Sequence, residues 1–307
     1  MKISIIGAGN VGATCAMRLL EADFADIVLL DIEGSLAKGK AEDLMDAASL
    51  IGHNRIITGT SDYKETQNSN IVVITAGFPR KPGMSREELL SKNASIVKEV
   101  AGKVAENSKD SIIIVVTNPL DVMSYLVYKE SGFDSRRVMG MAGVLDASRM
   151  DLMLSRYLNE PLRKIESLVL GTHGETMVPI VSHSKVDGKT LSGMLEDEAL
   201  SEVIKRTKSR GAEIVSYLGK GSAYYAPSAG VYRMVKAIIK DTNEVLPCSC
   251  LLQGEYGIKQ GVYLGVPAEI GKSGARKIVE LPLSADESSL LQTASDSVRK
   301  QIRSLGL

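Results

Sequence analysis

Three stretches of the chain concentrate groups able to do chemistry. Thr172–Glu175 sets His173 among small neighbours at the end of an apolar strand, where its ring is free to face a cleft. Upstream, Asp146 and Arg149 stand three residues apart on a helical pattern. Phe78–Glu88 (FPRKPGMSREE) sets Arg80, Lys81 and Arg86 in a loop punctuated by proline and glycine, after a buried strand. An imidazole suits general acid–base work near neutrality, a carboxylate can fix its tautomer, and a guanidinium fork matches a carboxylate. Each feature also has a plainer reading. His173 could be a loop histidine bonded to nearby backbone, and Arg80 and Lys81 could be solubilising charges. Asp146 and Arg149 could form a surface ion pair worth roughly 0.2–0.5 kcal/mol. The chain has three histidines; His53 falls in a polar loop before a strand and His183 within a strand leading to a turn, so His173 is the candidate.

A fourth stretch binds rather than reacts. Gly7-Ala8-Gly9-Asn10-Val11-Gly12 follows an apolar strand and opens a helix, the context that a dinucleotide fingerprint needs. Gly7 permits the tight turn, Gly9 lets a pyrophosphate approach the backbone, and Gly12 lets helix and strand pack closely. The phosphates would sit at a helix N-terminus, where free N–H groups and the dipole favour anions. Asp31 comes at the end of the second strand, where its carboxylate accepts ribose hydroxyls and repels a 2′-phosphate; Glu33 adds to that repulsion. NAD is therefore expected in place of NADP.

The elements that must position these groups follow from periodicity. Up to about residue 142, Ile- and Val-rich strands without polar alternation (Lys2–Gly7, Asp26–Asp31, Ile71–Ala76, Ser111–Thr117) alternate with helical patterns such as Val11–Ala22 and Arg86–Asn107. Such runs belong to a parallel sheet covered on both faces, a doubly wound α/β domain. Beyond about residue 143 the rhythm changes to a mixture of helices and alternating β segments. It runs from a helix over Ala147–Leu158 and a strand over Glu166–Gly171, through β segments at Glu244–Gly254 and Gly261–Gly271, to a helix over Asp286–Leu305. The expected organisation is a Rossmann domain over 1–142 and an α+β substrate domain over 143–307.

With a formal net charge of zero, 24% charged residues and 44% hydrophobic residues, no global field attracts nucleic acid or an anionic membrane. Anion specificity must be local. Apolar runs are strand-length, too short for a membrane span. Cys15, Cys248 and Cys250 are too few for a disulfide scaffold or a metal site, and read as reduced thiols of a cytoplasmic protein.

Six blocks in order, GAGNVG at Gly7, ITAGFPRKPGMSREELL from Ile74, VTNPLD from Val116, GVLDASR from Gly143, GTHGETMVP from Gly171 and GSAYYAPSAG from Gly221, resemble the lactate/malate dehydrogenase superfamily, in its lactate-dehydrogenase-like malate branch. The resemblance implies reversible hydride transfer between NAD and malate or oxaloacetate in a cleft between two domains. It makes His173 the general acid/base, Asp146 its partner and Arg149 the holder of the C1 carboxylate. Arg86 would polarise the reacting carbonyl, and Asn118 would donate to the substrate oxygen beside the nicotinamide. Val116, Thr117 and Asn93 would border the cofactor, although Asn93 taken alone reads as a solvated helix residue. Arg80 stands where the lactate enzymes carry a neutral Gln, and would pair with the distal carboxylate. Thr172 and Glu175 depart from the residues that commonly flank the family's histidine. Were His173, Arg149 or Asp146 missing, the chain would read as a fold kept without its activity; all three are present. The family is usually oligomeric, so a homotetramer is expected, with a dimer as the alternative.

Overall fold

The computed structural model describes residues 1–78 and 84–307. In the first half, β1 (Lys2–Ile6), α1 (Asn10–Glu21), β2 (Asp26–Leu30), α2 (Gly34–Asp46), a short α3 (Ala48–Ile51) and β3 (Ile57–Thr60) form one wing. The second wing is β4 (Ile71–Ile74), α4 (Arg86–Asn107), β5 (Ile112–Val115), α5 (Leu120–Ser131) and β6 (Val138–Gly140). The strands are parallel in the order β3-β2-β1-β4-β5-β6. Sequences such as IVVI in β4 and IIIV in β5 are buried throughout, which is why they show no alternation. Strand order reverses between β1 and β4, so a crevice opens outside their C-terminal ends, where doubly wound folds bind ligands.

The second half comprises α6 (Gly143–Leu158), β7 (Ile165–Glu166), β8 (Val169–Gly171), β9 (Met177–Pro179), β10 (Lys185–Val186), β11 (Lys189–Thr190) and α7 (Asp197–Leu218). It continues through α8 (Tyr225–Lys240), β12 (Glu244–Leu252), β13 (Val262–Gly271), β14 (Gly274–Ile278) and α9 (Ala285–Ser304). Three of its short strands form a small sheet of their own, in the order β11-β10-β7, and the rest extend the first sheet. Antiparallel β12 joins β6 through Ser249 opposite Gly140, β13, β8 and β9 follow in order, and β14 pairs with β13, making one eleven-stranded sheet among the described residues.

One hydrophobic core accordingly runs through both halves, from Ile5 and Ile113 to Leu246 and Leu291. Tyr263, fully buried, fastens them: its hydroxyl donates to the Val138 carbonyl at 3.2 Å, and its ring lies 6.1 Å from that of Tyr128. A smaller cluster around Met150, Leu154, Val186 and Val203 fills the space among α6, α7 and the β10–β11 hairpin.

Two local expectations are corrected. Glu166–Gly171 is not one strand but β7 and β8, which enter different sheets. At the break the Ser167 N–H bonds the Asp151 carboxylate at 2.8 Å and the Leu168 N–H bonds the Ser184 hydroxyl at 3.1 Å, so side chains replace the strand ladder. His183 lies in a 3₁₀ turn over Val181–His183, with its Nδ1 2.9 Å from the Ser182 hydroxyl, and is not in a strand.

Candidate active site

The glycine loop leaves β1 at Gly7, whose φ of +107° places it in the left-handed region. A Cβ there would lie 2.7 Å from Thr75 Oγ1, and one on Gly12 would run into the Gly7 carbonyl oxygen. These two glycines let the start of α1 pack against the sheet. Gly9 differs: a Cβ on it would meet nothing within 4 Å, so the space beside it is open. Gly9 is also the N-cap of α1, with no side chain capping the helix and no acid in its first turn. Open space at an uncapped helix start fits a dinucleotide pyrophosphate.

Asp31, at the end of β2, also braces this loop. Its Oδ2 accepts the Ala8 N–H at 2.6 Å and its Oδ1 the Glu33 N–H at 3.1 Å, while Lys40 of α2 donates to the Ala8 carbonyl at 2.6 Å. A carboxylate oxygen accepts more than one hydrogen bond, so Asp31 can still receive ribose hydroxyls. Lys40 was not singled out by any motif.

Across the crevice, Val116, Thr117 and Asn118 follow β5. Thr117 Oγ1 donates to the Ala76 carbonyl at 2.7 Å, tying the ends of β4 and β5 together, and exposed Asn118 faces the cleft. Asn93 is not the solvated residue that its helical position suggests; it is 1% exposed. Its Oδ1 accepts the Phe78 N–H at 2.8 Å and its Nδ2 donates to the Asn118 carbonyl at 2.7 Å. It binds the root of the Phe78–Glu88 loop to the cofactor side of the cleft.

The corner around His173 is assembled from distant parts of the chain. His173 Nδ1 lies 2.8 Å from Asp146 Oδ2, and Arg149 Nη1 donates to Asp146 Oδ1 at 3.2 Å. Asp146 is 2% exposed, so the surface ion pair expected from spacing alone is instead a charge triad built on a buried carboxylate, with His173 and Arg149 half-buried on either side. Burial alone would push the His173 imidazole down. The charge and hydrogen bond of Asp146, helped by nearby Asp121, outweigh burial and the opposing Arg149, so its pKa is raised above the usual value. Desolvation, partly offset by Asp146, lowers the Arg149 pKa from its ordinary value, and Arg149 Nε has no hydrogen-bond partner among the described residues.

His173 and Arg149 line a cleft of about 710 Å³ with Asn118, Leu145 and Gly211, and Asp146 lies behind them. Pro227, at the start of α8, lines it as well, whereas Tyr224 and Tyr225 pack against each other with ring centroids 4.2 Å apart. Arg80 and Lys81 lie outside the described residues, as does the side chain of Arg86, whose backbone opens α4. Asp121 escaped the sequence reading altogether: it is buried in the first turn of α5 and accepts the His173 backbone N–H at 3.0 Å. Its only signal was its place two residues after the Asn118-Pro119 pair. Thr172 hydrogen-bonds Thr176 at 2.8 Å, bracing the loop that carries His173.

A nucleotide crevice at the C-terminal ends of the parallel strands, facing a His–Asp–Arg cluster, calls for comparison with known proteins. Residues 1–140 match the family model described as lactate/malate dehydrogenase, NAD binding domain, and residues 143–305 match its alpha/beta C-terminal domain. The chain belongs to the lactate/malate dehydrogenase family. Within that family it is 46% identical to a malate dehydrogenase of Methanosarcina mazei over 305 residues, 99% of each chain. Its fold is similar to that of the malate dehydrogenase of Salinibacter ruber, with a TM-score of 0.94 and 41% identity over 100% of this chain and 98% of that one. It is also similar to a Cryptosporidium parvum lactate dehydrogenase solved with lactic acid and NAD, with a TM-score of 0.96 and 36% identity over 99% and 98% of the two chains. The cofactor is NAD. Backbone shape alone does not separate malate from lactate enzymes, so substrate choice rests on side chains.

Proposed function

We propose that the chain is an NAD-dependent malate dehydrogenase that interconverts malate and oxaloacetate, with His173 as the general acid/base. The observation that carries this reading is the buried His173–Asp146 pair beside Arg149 in a cleft that also contains Asn118. NAD, when bound along the glycine loop from Gly7 to Gly12, with Asp31 toward its ribose, supplies or accepts the hydride. Everything else falls to the protein. Asp146 accepts the Nδ1–H of His173, which fixes the tautomer and turns Nε2 toward the cleft. Protonated His173 gives its Nε2 proton to the ketone oxygen of oxaloacetate; in the reverse direction the neutral ring takes the hydroxyl proton of malate. Arg149 holds the C1 carboxylate with donors that Asp146 does not occupy, and the Asn118 amide donates to the reacting oxygen. Arg86 polarises that oxygen from the loop.

Arg80 selects the substrate by pairing with the distal carboxylate. A charge-assisted hydrogen bond contributes roughly 1.5–3 kcal/mol, or about one to two decades in kcat/KM. Pyruvate would leave that charge unpaired. The deciding experiment compares kcat/KM with NADH for oxaloacetate and pyruvate in the wild type and in Arg80→Gln. A strong preference for oxaloacetate that collapses in the variant is expected. A variant that kept the preference would remove Arg80 from this role.

The same reading takes the active form to be a homotetramer, with a dimer as the alternative. Exposed apolar side chains at Leu50, Ile51 and Ile56, and at Val215, Tyr217 and Leu218, support association. No helix among the described residues is long and apolar enough to cross a membrane. The buried free thiols Cys15, Cys248 and Cys250 fit the reducing environment of a cytoplasmic location.

A further inference from the structure

Asp121 is a buried carboxylate for which the reaction described so far has no use. Its Oδ1 accepts the Ser249 hydroxyl at 2.7 Å and its Oδ2 accepts the His173 backbone N–H at 3.0 Å. Among the described residues no Lys or Arg forms an ion pair with it. Two neutral donors do not compensate the cost of holding a bare charge away from water. Among the described residues, the cation whose charge acts on it is the imidazolium of His173, and each group responds to the charge of the other.

We propose that Asp121 is a positioning residue for the proton transfer: it pins the His173 loop through the backbone N–H and, as a second buried carboxylate beside Asp146, holds the proton on His173. The inference rests on His173 being the acid/base. Burial raises Asp121 itself to about 6, with Ser249 and His173 pulling it down and Asp146 pushing it up. Above that range Asp121 is charged and favours the imidazolium; below it Asp121 is neutral and this support is withdrawn. Ser249 thereby becomes part of the device, because its hydroxyl favours the ionised carboxylate. Among the described residues, the other charges near His173 are Asp146 and Arg149 of α6, with Lys208 of α7, Lys300 of α9, Glu87 of α4 and Glu175 of its own loop lining the cleft. All of these are left unchanged by the test.

The test is the pH dependence of kcat/KM, in both directions, for wild type, Asp121→Asn and Ser249→Ala, each checked for fold by circular dichroism and for NADH binding by fluorescence. Reduction needs protonated His173 and declines above its pKa, whereas oxidation needs the neutral ring and rises through it. Asp121→Asn is expected to move both limbs to lower pH by roughly half a unit to one unit, so that reduction on the alkaline side falls about three- to tenfold. Ser249→Ala should move them the same way by less. A uniform loss at every pH, with the limbs in place, would overturn the proposal and leave Asp121 a structural brace. If Asp121→Asn does not fold, Ser249→Ala decides alone, and unmoved limbs there overturn the proposal. A separate control, His173→Gln, addresses the foundation: retained activity would refute the acid–base reading itself, whatever the Asp121 result.

Discussion

At the glycine loop the groups offered to a ligand are backbone N–H donors at a helix start, held by glycines and by Asp31 and Lys40 bonding the Ala8 amide and carbonyl. At the His173 corner the groups offered are side chains, and their charges are set by residues far away in the chain. His173 takes its partner from 27 positions upstream at Asp146, and Asp121 is linked to Ser249 across 128 positions. The first region can bind without the second, and the second has no chemistry without the first. Substitutions should therefore separate affinity for NADH from proton transfer.

The largest effect is expected for His173→Gln. Removing the proposed acid/base should lower kcat/KM for oxaloacetate by roughly 10²–10⁴-fold while NADH titration by fluorescence gives an unchanged dissociation constant. Next comes Asp146→Asn. The raised pKa of His173 means that wild-type reduction persists to higher pH than a free imidazole would allow. The amide should reverse that, read as a shift of the reduction limb toward acid that exceeds the one in Asp121→Asn. Gly12→Ala breaks the other region: its methyl meets the Gly7 carbonyl oxygen and should destabilise the loop by about 1–3 kcal/mol. NADH affinity and thermal midpoint should fall, and the pH limbs should stay where they are. Lys40→Met is the mildest, weakening NADH by about 1 kcal/mol, or roughly fivefold, through loss of its bond to Ala8. Should Gly12→Ala move the limbs, or Asp146→Asn weaken NADH as much as it shifts them, the two regions are not separable as described.

The same contrast explains what was legible beforehand. The nucleotide loop is contiguous, so strand, glycines, helix and Asp31 could be read in register from the chain itself. The strands of the parallel half were legible because burial on both faces leaves uninterrupted Ile and Val. His173, Asp146 and Arg149 stood out as residue types, but spacing alone pointed to a surface ion pair for the last two. Only the return of β8 beside α6 buries them together. Asn93 and Asp121 look like ordinary polar helix residues, since their partners are a backbone carbonyl at Asn118 and a backbone amide at His173, groups that every residue carries. Periodicity ran through the break at Ser167 because a side-chain acceptor, Asp151, does there what a neighbouring strand would otherwise do.

The pairing of Gly140 with Ser249 gives β6 a neighbour on each side, β5 and β12. Without residues beyond 142, the nucleotide-binding half would end in a naked strand rim, its Val138 carbonyl deprived of the Tyr263 hydroxyl. Open rims of this kind recruit other chains into intermolecular sheets. The change of rhythm in the sequence near residue 143 is thus a boundary of pattern and not of self-sufficiency. In this chain the later residues act as a built-in guard against self-association of the earlier ones.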